Sequence, residues 1–413
     1  MSALVLLVRR SLAQHKLSTA VTVAATALAC GLVLSVFAIA NQTQSSFTRT
    51  DVGYDAVLGA RGAPLQLVLN TVYHLETSPG TIPFSLYQTI KQDPRVELAI
   101  PYGVGDNYQG FRLVGTSEEI FTAFEYRDGR KLQFAVGGPF DGQRREAVVG
   151  SFAAAQTGLK VGDRIQPYHG LDYDPNTQHD EVYVVSGILE PTNSPNDRVI
   201  WIPLEGIWRM QGHVLRGAGE EYVAEAGVPI PDKHKEVSAV MVKLRNRIFG
   251  MALSMDINRQ GDIATFAWPI DEVMLDLFGK LFWFVVILKY VAYMVVAVAT
   301  GAILASIYNT MNERRREFAI LRSLGASRRT VFGAIVLEAA TISALGAAFG
   351  FAVYAAVLGA ASVLIREKTG VVLDLLAPDP ILWMAPLGMV LLGAVAGLLP
   401  ARKAYATDVA ANL

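Results

Sequence analysis

The chain has 413 residues, of which 52% are apolar and only 18% charged, with a formal net charge of −1. Soluble domains carry about 25% charged residues, so the composition points to an integral membrane protein and offers no global basic charge for nucleic acid. A single cysteine, Cys30, excludes an internal disulfide and any multi-cysteine metal site.

Residues 1–16 read as a cytoplasmic amphipathic helix carrying Arg9, Arg10, His15 and Lys16. Leu17 to Ala40 follows without a charge. At about 24 residues, or ~36 Å of helix, it is long enough to cross a ~30 Å hydrocarbon core. Its length exceeds the ~7–15 residues of a signal h-region, so it is read as an uncleaved first span despite the Ala38-Ile39-Ala40 end. Ala27 in place of leucine, and the apolar run beyond Cys30, argue against a lipoprotein site.

Residues 41–280 read as a mixed α/β extracytoplasmic domain, with a second subdomain inserted at about 136–229. A helix is expected over Pro83 to Asp93, with Thr81 supplying an N-cap hydroxyl. Strands are expected at Glu181 to Ile188 and Val199 to Ile202. Between Arg145 and Ile165 the pattern is strand, helix (Ser151 to Thr157), a Gly158 stop and another strand. His169, Asp172, Asp174, His179 and Asp180 lie in one polar stretch. Their types suit zinc, but the spacing matches no metal pattern, so they are read as a solvated loop without a metal. His74, His213 and His234 are isolated in sequence and are expected at the surface. There is no G-x-x-x-x-G-K-[ST] for nucleotide phosphates, no nucleophile elbow and no H-E-x-x-H. The chain is therefore expected not to be an enzyme.

A second span with a projecting stalk is placed at 281–310. Lys289 lies inside this run and is expected to snorkel at the outer interface. The third and fourth spans are placed at 331–365 and 381–399, and 400–413 is a cytoplasmic tail. Gly346 with Gly350, and Gly393 with Gly397, have the small-residue spacing of close helix packing. Glu338 lies ~13 Å into the third span, where an ionisable group is a functional candidate or a structural partner of a neighbouring helix.

Between the second and third spans lies NTMNERRREFAILRSLGASRR, with Arg314, Arg315, Arg316, Arg322, Arg328 and Arg329. This basic content places the 311–330 loop, and with it both termini, in the cytoplasm, and the 41–280 domain outside. Phe318, Leu321 and Leu324 recur at helical spacing ahead of Gly325-Ala326-Ser327. The segment is a small amphipathic helix that a soluble partner can grip.

Arg316-Glu317, Ala319-Ile320-Leu321-Arg322 and Gly325-Ala326-Ser327-Arg328-Arg329 resemble the cytoplasmic loop of FtsX-like, MacB-type ABC transporter permeases, the type VII or mechanotransmission family. Leu337-Glu338-Ala339 is similar to the start of that family's third span. The tail Pro400-Ala401-Arg402-Lys403-Ala404 resembles its C-terminus, without the family's proline and acidic residue. The stretch at 146–204 is similar to the MacB-type periplasmic core domain.

The resemblance implies four transmembrane helices with a large mixed α/β extracytoplasmic domain between the first and second. It also implies a permease without a fused ATPase. A separate cytoplasmic ABC ATPase dimer would bind ATP and Mg²⁺, and this chain would hold no cofactor. Further implied partners are a second permease copy or paralogue, a periplasmic adaptor or lipoprotein, and membrane lipid, but no nucleic acid. ATP-driven closure would move the second helix as a lever in the bacterial inner membrane and act on a lipoprotein, peptide or drug-like cargo. The alternative is a non-transporting regulator of a periplasmic enzyme or sensor. Phe318, Leu321 and Leu324 would form the apolar docking face, with Arg316, Glu317 and Arg322 as polar contacts. Gly325 and Ala326 would end the coupling helix, and Ser327 would cap the third span.

Overall fold

The computed structural model describes residues 3–48, 53–127, 129–225, 227–260, 264–323, 325–369 and 372–406. The chain divides into two compact units. One comprises 1–44, 281–363 and 373–413; the other comprises 45–280 with 364–372.

The first unit is helical. Among the described residues, four helices are long and apolar enough to cross a membrane: Lys16–Ser45, Phe282–Glu313, Arg328–Lys368 and Ile381–Lys403. Glycine positions allow close approach of backbones. A Cβ at Gly350 would sit 2.9 Å from Cys30 Cβ, and one at Gly346 only 2.4 Å from Thr26 Cβ. Gly393 and Gly397 leave room in the same way for Ser343 and Ala339 of the third span. Ile303, Ile307, Met311, Val331, Ile335 and Ala339 form the buried centre between second and third spans. Ser18 and Ser306 share a 2.9 Å hydrogen bond between the first and second. Lys289 lies 4.7 Å from the ring centre of Phe37, which is on the last turns of the first apolar run.

The second unit is built on a mixed sheet. Its strands are β1 (Ala56–Ala60), β2 (Val96–Tyr108), β3 (Phe111–Thr116), β4 (Phe134–Gly137), β5 (Glu146–Val149), β6 (Arg164–Ile165), β7 (Tyr168–His169), β8 (Tyr183–Leu189), β9 (Ile200–Pro203), β10 (Ala239–Leu244) and β11 (Ala264–Ala267). The order is β11-β1-β10-β2-β3-β9-β5-β8-β4, with β7 on β2 and β6 on β8. The β3–β9 and β5–β8 pairs are parallel, and the others antiparallel. Segment 136–229 is thus not a separate compact unit, because its strands enter the same sheet beside β3.

The fully buried strand residues explain the continuous apolar runs: Val57, Ile100, Val114, Val148 and Trp201 share one core. Trp201 meets Tyr102 at 5.7 Å between ring centroids. Helix Phe84–Gln92 buries Tyr87 and Ile90, but its N-cap is Pro83 without a side-chain bond. Thr81, expected as that cap, instead donates to Glu236 at 2.8 Å. Helix Ser151–Thr157 ends on Gly158 at φ 74°, the left-handed conformation that its stop requires.

The helix carrying the second span begins well before position 281. It runs unbroken from Ile270 to Glu313, 44 residues, or ~66 Å. Its first turns bury Ile270 and Met274 in the core of the sheet domain. Asp271, in its first turn, accepts from Arg247 at 2.5 Å.

Candidate functional site

The 311–330 loop folds as expected from its periodicity, as helix Arg315–Ser323 between the second and third long helices. Gly325 adopts φ 100°. Its N–H reaches Arg322 O at 3.1 Å, and Ala326 N–H reaches Leu321 O at 3.0 Å. These two bonds satisfy the last carbonyls of the helix, and glycine takes the required conformation without a Cβ penalty. Ser327 Oγ accepts from Thr330 N–H at 3.2 Å, which caps helix Arg328–Thr369. Leu324 lies outside the described residues.

The two faces of the short helix differ in burial. Phe318 and Leu321 are half-buried and line a small cleft with Leu7, Val8, Val331, Ile335 and Glu338. Phe318 also packs against the buried centre between the second and third spans. Ile320 is 42% exposed, and Arg316, Glu317 and Ser323 are exposed beside it. At 100° per residue, positions 316, 320 and 323 form one stripe. Arg322 and Ala326 are half-buried; Gly325 and Ser327 are exposed.

The cleft ends in a polar cluster. Arg314, 7% exposed, donates through Nη1 to Ser11 Oγ at 2.6 Å and through Nε to Glu317 at 2.9 Å. Ser11 Oγ in turn donates to Glu338 Oε1 at 2.6 Å, and Arg314 Nη1 lies 3.7 Å from Glu338 Oε2. The guanidinium also sits 5.0 Å from the Phe318 ring centre. Glu338 is thus the buried anion of a network joining helix Ala3–Gln14, the junction at Arg314 and the third long helix. Sequence reasoning singled out Glu338 but not Arg314, which five neighbouring arginines hide in the sequence. The signal that separates it is position: Arg314 falls at the break between helices Ile270–Glu313 and Arg315–Ser323.

In the sheet domain the histidines are not where sequence placed them. His213 is not isolated: with His169 and His179 it converges on Asp106. His179 is buried, so the 169–180 stretch is not simply a solvated loop, although Asp172, Asp174 and Asp180 are exposed. His234 is also buried, stacked on Tyr222 at 4.5 Å. His74 lies within the domain, and burial, with Arg112 and Arg198 nearby, pushes its pKa down to about 3. Asp106 escaped notice because it precedes His179 by 73 positions.

Residues 19–248 match the family described as MacB-like periplasmic core domain, and residues 289–409 match the family described as FtsX-like permease C-terminal. No curated protein sequence matches the chain. The solved structures that match include two transporter domains. One is the periplasmic region of MacB from Actinobacillus actinomycetemcomitans, with 10% identity over 57% of this chain and 98% of that one, at a TM-score of 0.34. The other is the extracellular domain of the noncanonic ABC-type transporter YknZ from Gram-positive bacteria. It has 13% identity over 51% of this chain and 98% of that one, at a TM-score of 0.29.

Proposed function

The chain belongs to the FtsX-like permeases with a MacB-like periplasmic core domain, and from that premise we propose that it is the mechanical subunit of an ABC transporter. An ABC permease of this family works with an ABC ATPase. In this reading the ATPase is a separate cytoplasmic dimer that holds ATP and Mg²⁺, and it docks on the exposed stripe Arg316, Ile320 and Ser323 with Glu317 beside it. The permease acts as a dimer in the bacterial inner membrane, with both termini and the 311–330 loop cytoplasmic and residues 41–280 outside. The basic loop supports that orientation.

The observation that carries the reading is the unbroken helix Ile270–Glu313. A span needs about 20 residues, and this helix has more than twice that. One end is packed in the core of the sheet domain through Ile270 and Met274. The other ends at Arg314, whose network fixes the junction to the short helix. In this reading, rotation or translation of the short helix reaches the sheet domain along this one helix. The cargo is a periplasmic lipoprotein, peptide or drug-like molecule, presented to the domain by an adaptor or lipoprotein partner.

The test is ATP hydrolysis by the cognate ATPase, reconstituted in lipid nanodiscs with and without the permease. The reading expects hydrolysis to depend on the permease and Ile320→Asp to abolish that dependence while the complex still inserts. Unchanged permease-dependent hydrolysis in Ile320→Asp would remove the docking assignment.

A further inference from the structure

Asp106 lies on β2, immediately after a register shift against β3 between Val104 and Asp106. Such a bulge re-aims the side chains that follow it. The Asp106 carboxylate is fully buried. Its Oδ1 is 3.2 Å from His169 Nδ1, 3.1 Å from His179 Nε2 and 3.3 Å from His213 Nε2. The four ligand atoms all lie within 4.8 Å of one another. The three imidazole planes are mutually steep, at 77°, 72° and 85°, so the rings surround one point from different directions.

The hydrogen bonds on the far side of the rings decide what can occupy that point. His179 Nδ1 is 3.0 Å from Gln211 O, and His213 Nδ1 is 2.8 Å from Ile207 O. A carbonyl only accepts, so both Nδ1 atoms are N–H donors. In the neutral rings both Nε2 atoms then carry lone pairs aimed at a carboxylate oxygen, which also only accepts. A divalent cation satisfies every lone pair at once. Asp106 Oδ2 and His213 Nε2 are otherwise buried without a hydrogen-bond partner.

The distances agree with a metal. Tetrahedral ligands ~2.0 Å from zinc are separated by ~3.3 Å, and the carboxylate-to-imidazole distances are 3.1–3.3 Å. The backbone carbonyls on His179 and His213 are the outer-shell partners that metal-binding histidines generally use. The scaffold is also built in advance of any ion. Asn107 Nδ2 donates to Gly170 O at 3.0 Å and Asp172 O at 3.1 Å, and Gln211 N–H donates to Glu181 at 3.0 Å. His169 is the accessible member, its side chain 61% exposed, and supplies the entry path.

We propose that Asp106, His169, His179 and His213 form a zinc-class divalent metal site in the extracytoplasmic domain. Three imidazoles and one carboxylate suit zinc among divalent cations in a tetrahedral arrangement. Four protein ligands complete that shell, so the site is structural or sensory and not hydrolytic. It ties the 168–179 segment and the 209–213 turn to the bulged end of β2. This site is independent of the coupling mechanism above.

The test uses the full chain in nanodiscs, stripped with a chelator and titrated with Zn²⁺ alone. The expected result is one zinc per chain, with ~2.0 Å nitrogen and oxygen neighbours by X-ray absorption. His169→Gln, at an exposed position that folding does not depend on, weakens binding more than ~100-fold, since outer-shell changes already cost about 10–100-fold. Binding also lowers amide exchange across 167–180 and 209–215 in the wild type. No zinc, zinc in an all-oxygen octahedral shell, or equal affinity in His169→Gln and wild type would each overturn the assignment. His213→Gln and Asp106→Asn are read only as folded protein, judged by unchanged exchange in β1 and β10.

Discussion

Removing the buried Glu338–Arg314 attraction tests how rigidly the short helix is joined to the rest of the permease. Arg314 is held by Ser11 at 2.6 Å, Glu317 at 2.9 Å and Glu338 at 3.7 Å. At 3.7 Å and an effective dielectric near 20 the Coulomb term is ~4.5 kcal/mol before desolvation is subtracted. Glu338→Gln keeps an acceptor for Ser11 and leaves Arg314 paired with Glu317, so its net cost is about 1–2 kcal/mol. Arg314→Met leaves a buried carboxylate with one hydroxyl donor and costs about 3 kcal/mol. The double variant Arg314→Met with Glu338→Leu removes both charges and costs at least ~1 kcal/mol less than the sum of the singles. The assay is hydrogen exchange of amides 315–323 in nanodiscs, where 1.36 kcal/mol is a tenfold change in protection. Amides of helix Phe84–Gln92 serve as the internal control. Additive effects to within ~0.5 kcal/mol would show that Arg314 and Glu338 do not work as a pair.

Four further outcomes follow from the same physical reasoning. Ile320→Asp, at an exposed position, changes stability by less than ~0.5 kcal/mol yet removes ATPase stimulation, whereas half-buried Phe318→Ala costs about 1–2 kcal/mol; a thermal-shift series alongside the ATPase assay distinguishes them. Gly325→Ala forces a Cβ into φ 100° and costs ~1–2 kcal/mol, read as about 5–30-fold faster exchange at the end of the short helix. His74 is buried neutral with its pKa lowered to about 3, so the unfolded chain takes up a proton below its ordinary value of ~6.5 while the folded chain does not. Stability is therefore lost as pH falls, by about 2 kcal/mol at pH 5, and exchange around residues 72–76 accelerates accordingly; His74→Asn, which tolerates the positive φ of 56°, flattens that dependence. Single cysteines introduced in a Cys30→Ser background are expected to react with a membrane-impermeant maleimide from the cytoplasm at position 316 and from outside at position 173. Reaction of both from one side would reverse the proposed orientation.

The membrane helices and the short amphipathic helix were legible because their signals are local. Long apolar runs mark the spans, and Phe318 with Leu321 marks an apolar face. Which partner that face meets is not local information. Amphipathicity reports an apolar face, but not that Leu7, Val8, Val331 and Ile335 of the same chain line one cleft with it. The same limit hid Arg314, whose partners Ser11 and Glu338 stand 303 positions before it in one case and in the next span in the other. The start of the second-span helix was placed late because 270–280 is mixed in polarity, with Asp271, Glu272 and Asp276 on the faces away from Ile270 and Met274. The histidine cluster was half visible: His169 and His179 were noticed together, but Asp106 and His213 reach them only through sheet pairing and a turn. A β2–β7 register of His169 opposite Asp106 is a product of the fold, with no short-range sequence signature.

Hydrogen exchange of the sheet domain in the permease–ATPase complex, with the ATPase nucleotide-free and then held in its ATP-bound dimer, tests the central claim most directly. Transmission through the Ile270–Glu313 helix predicts altered protection at residues 264–280 on ATP binding, lost when two glycines are inserted after Gly279. Altered protection confined to the 311–330 loop, with the sheet domain unchanged between the two nucleotide states, would contradict it.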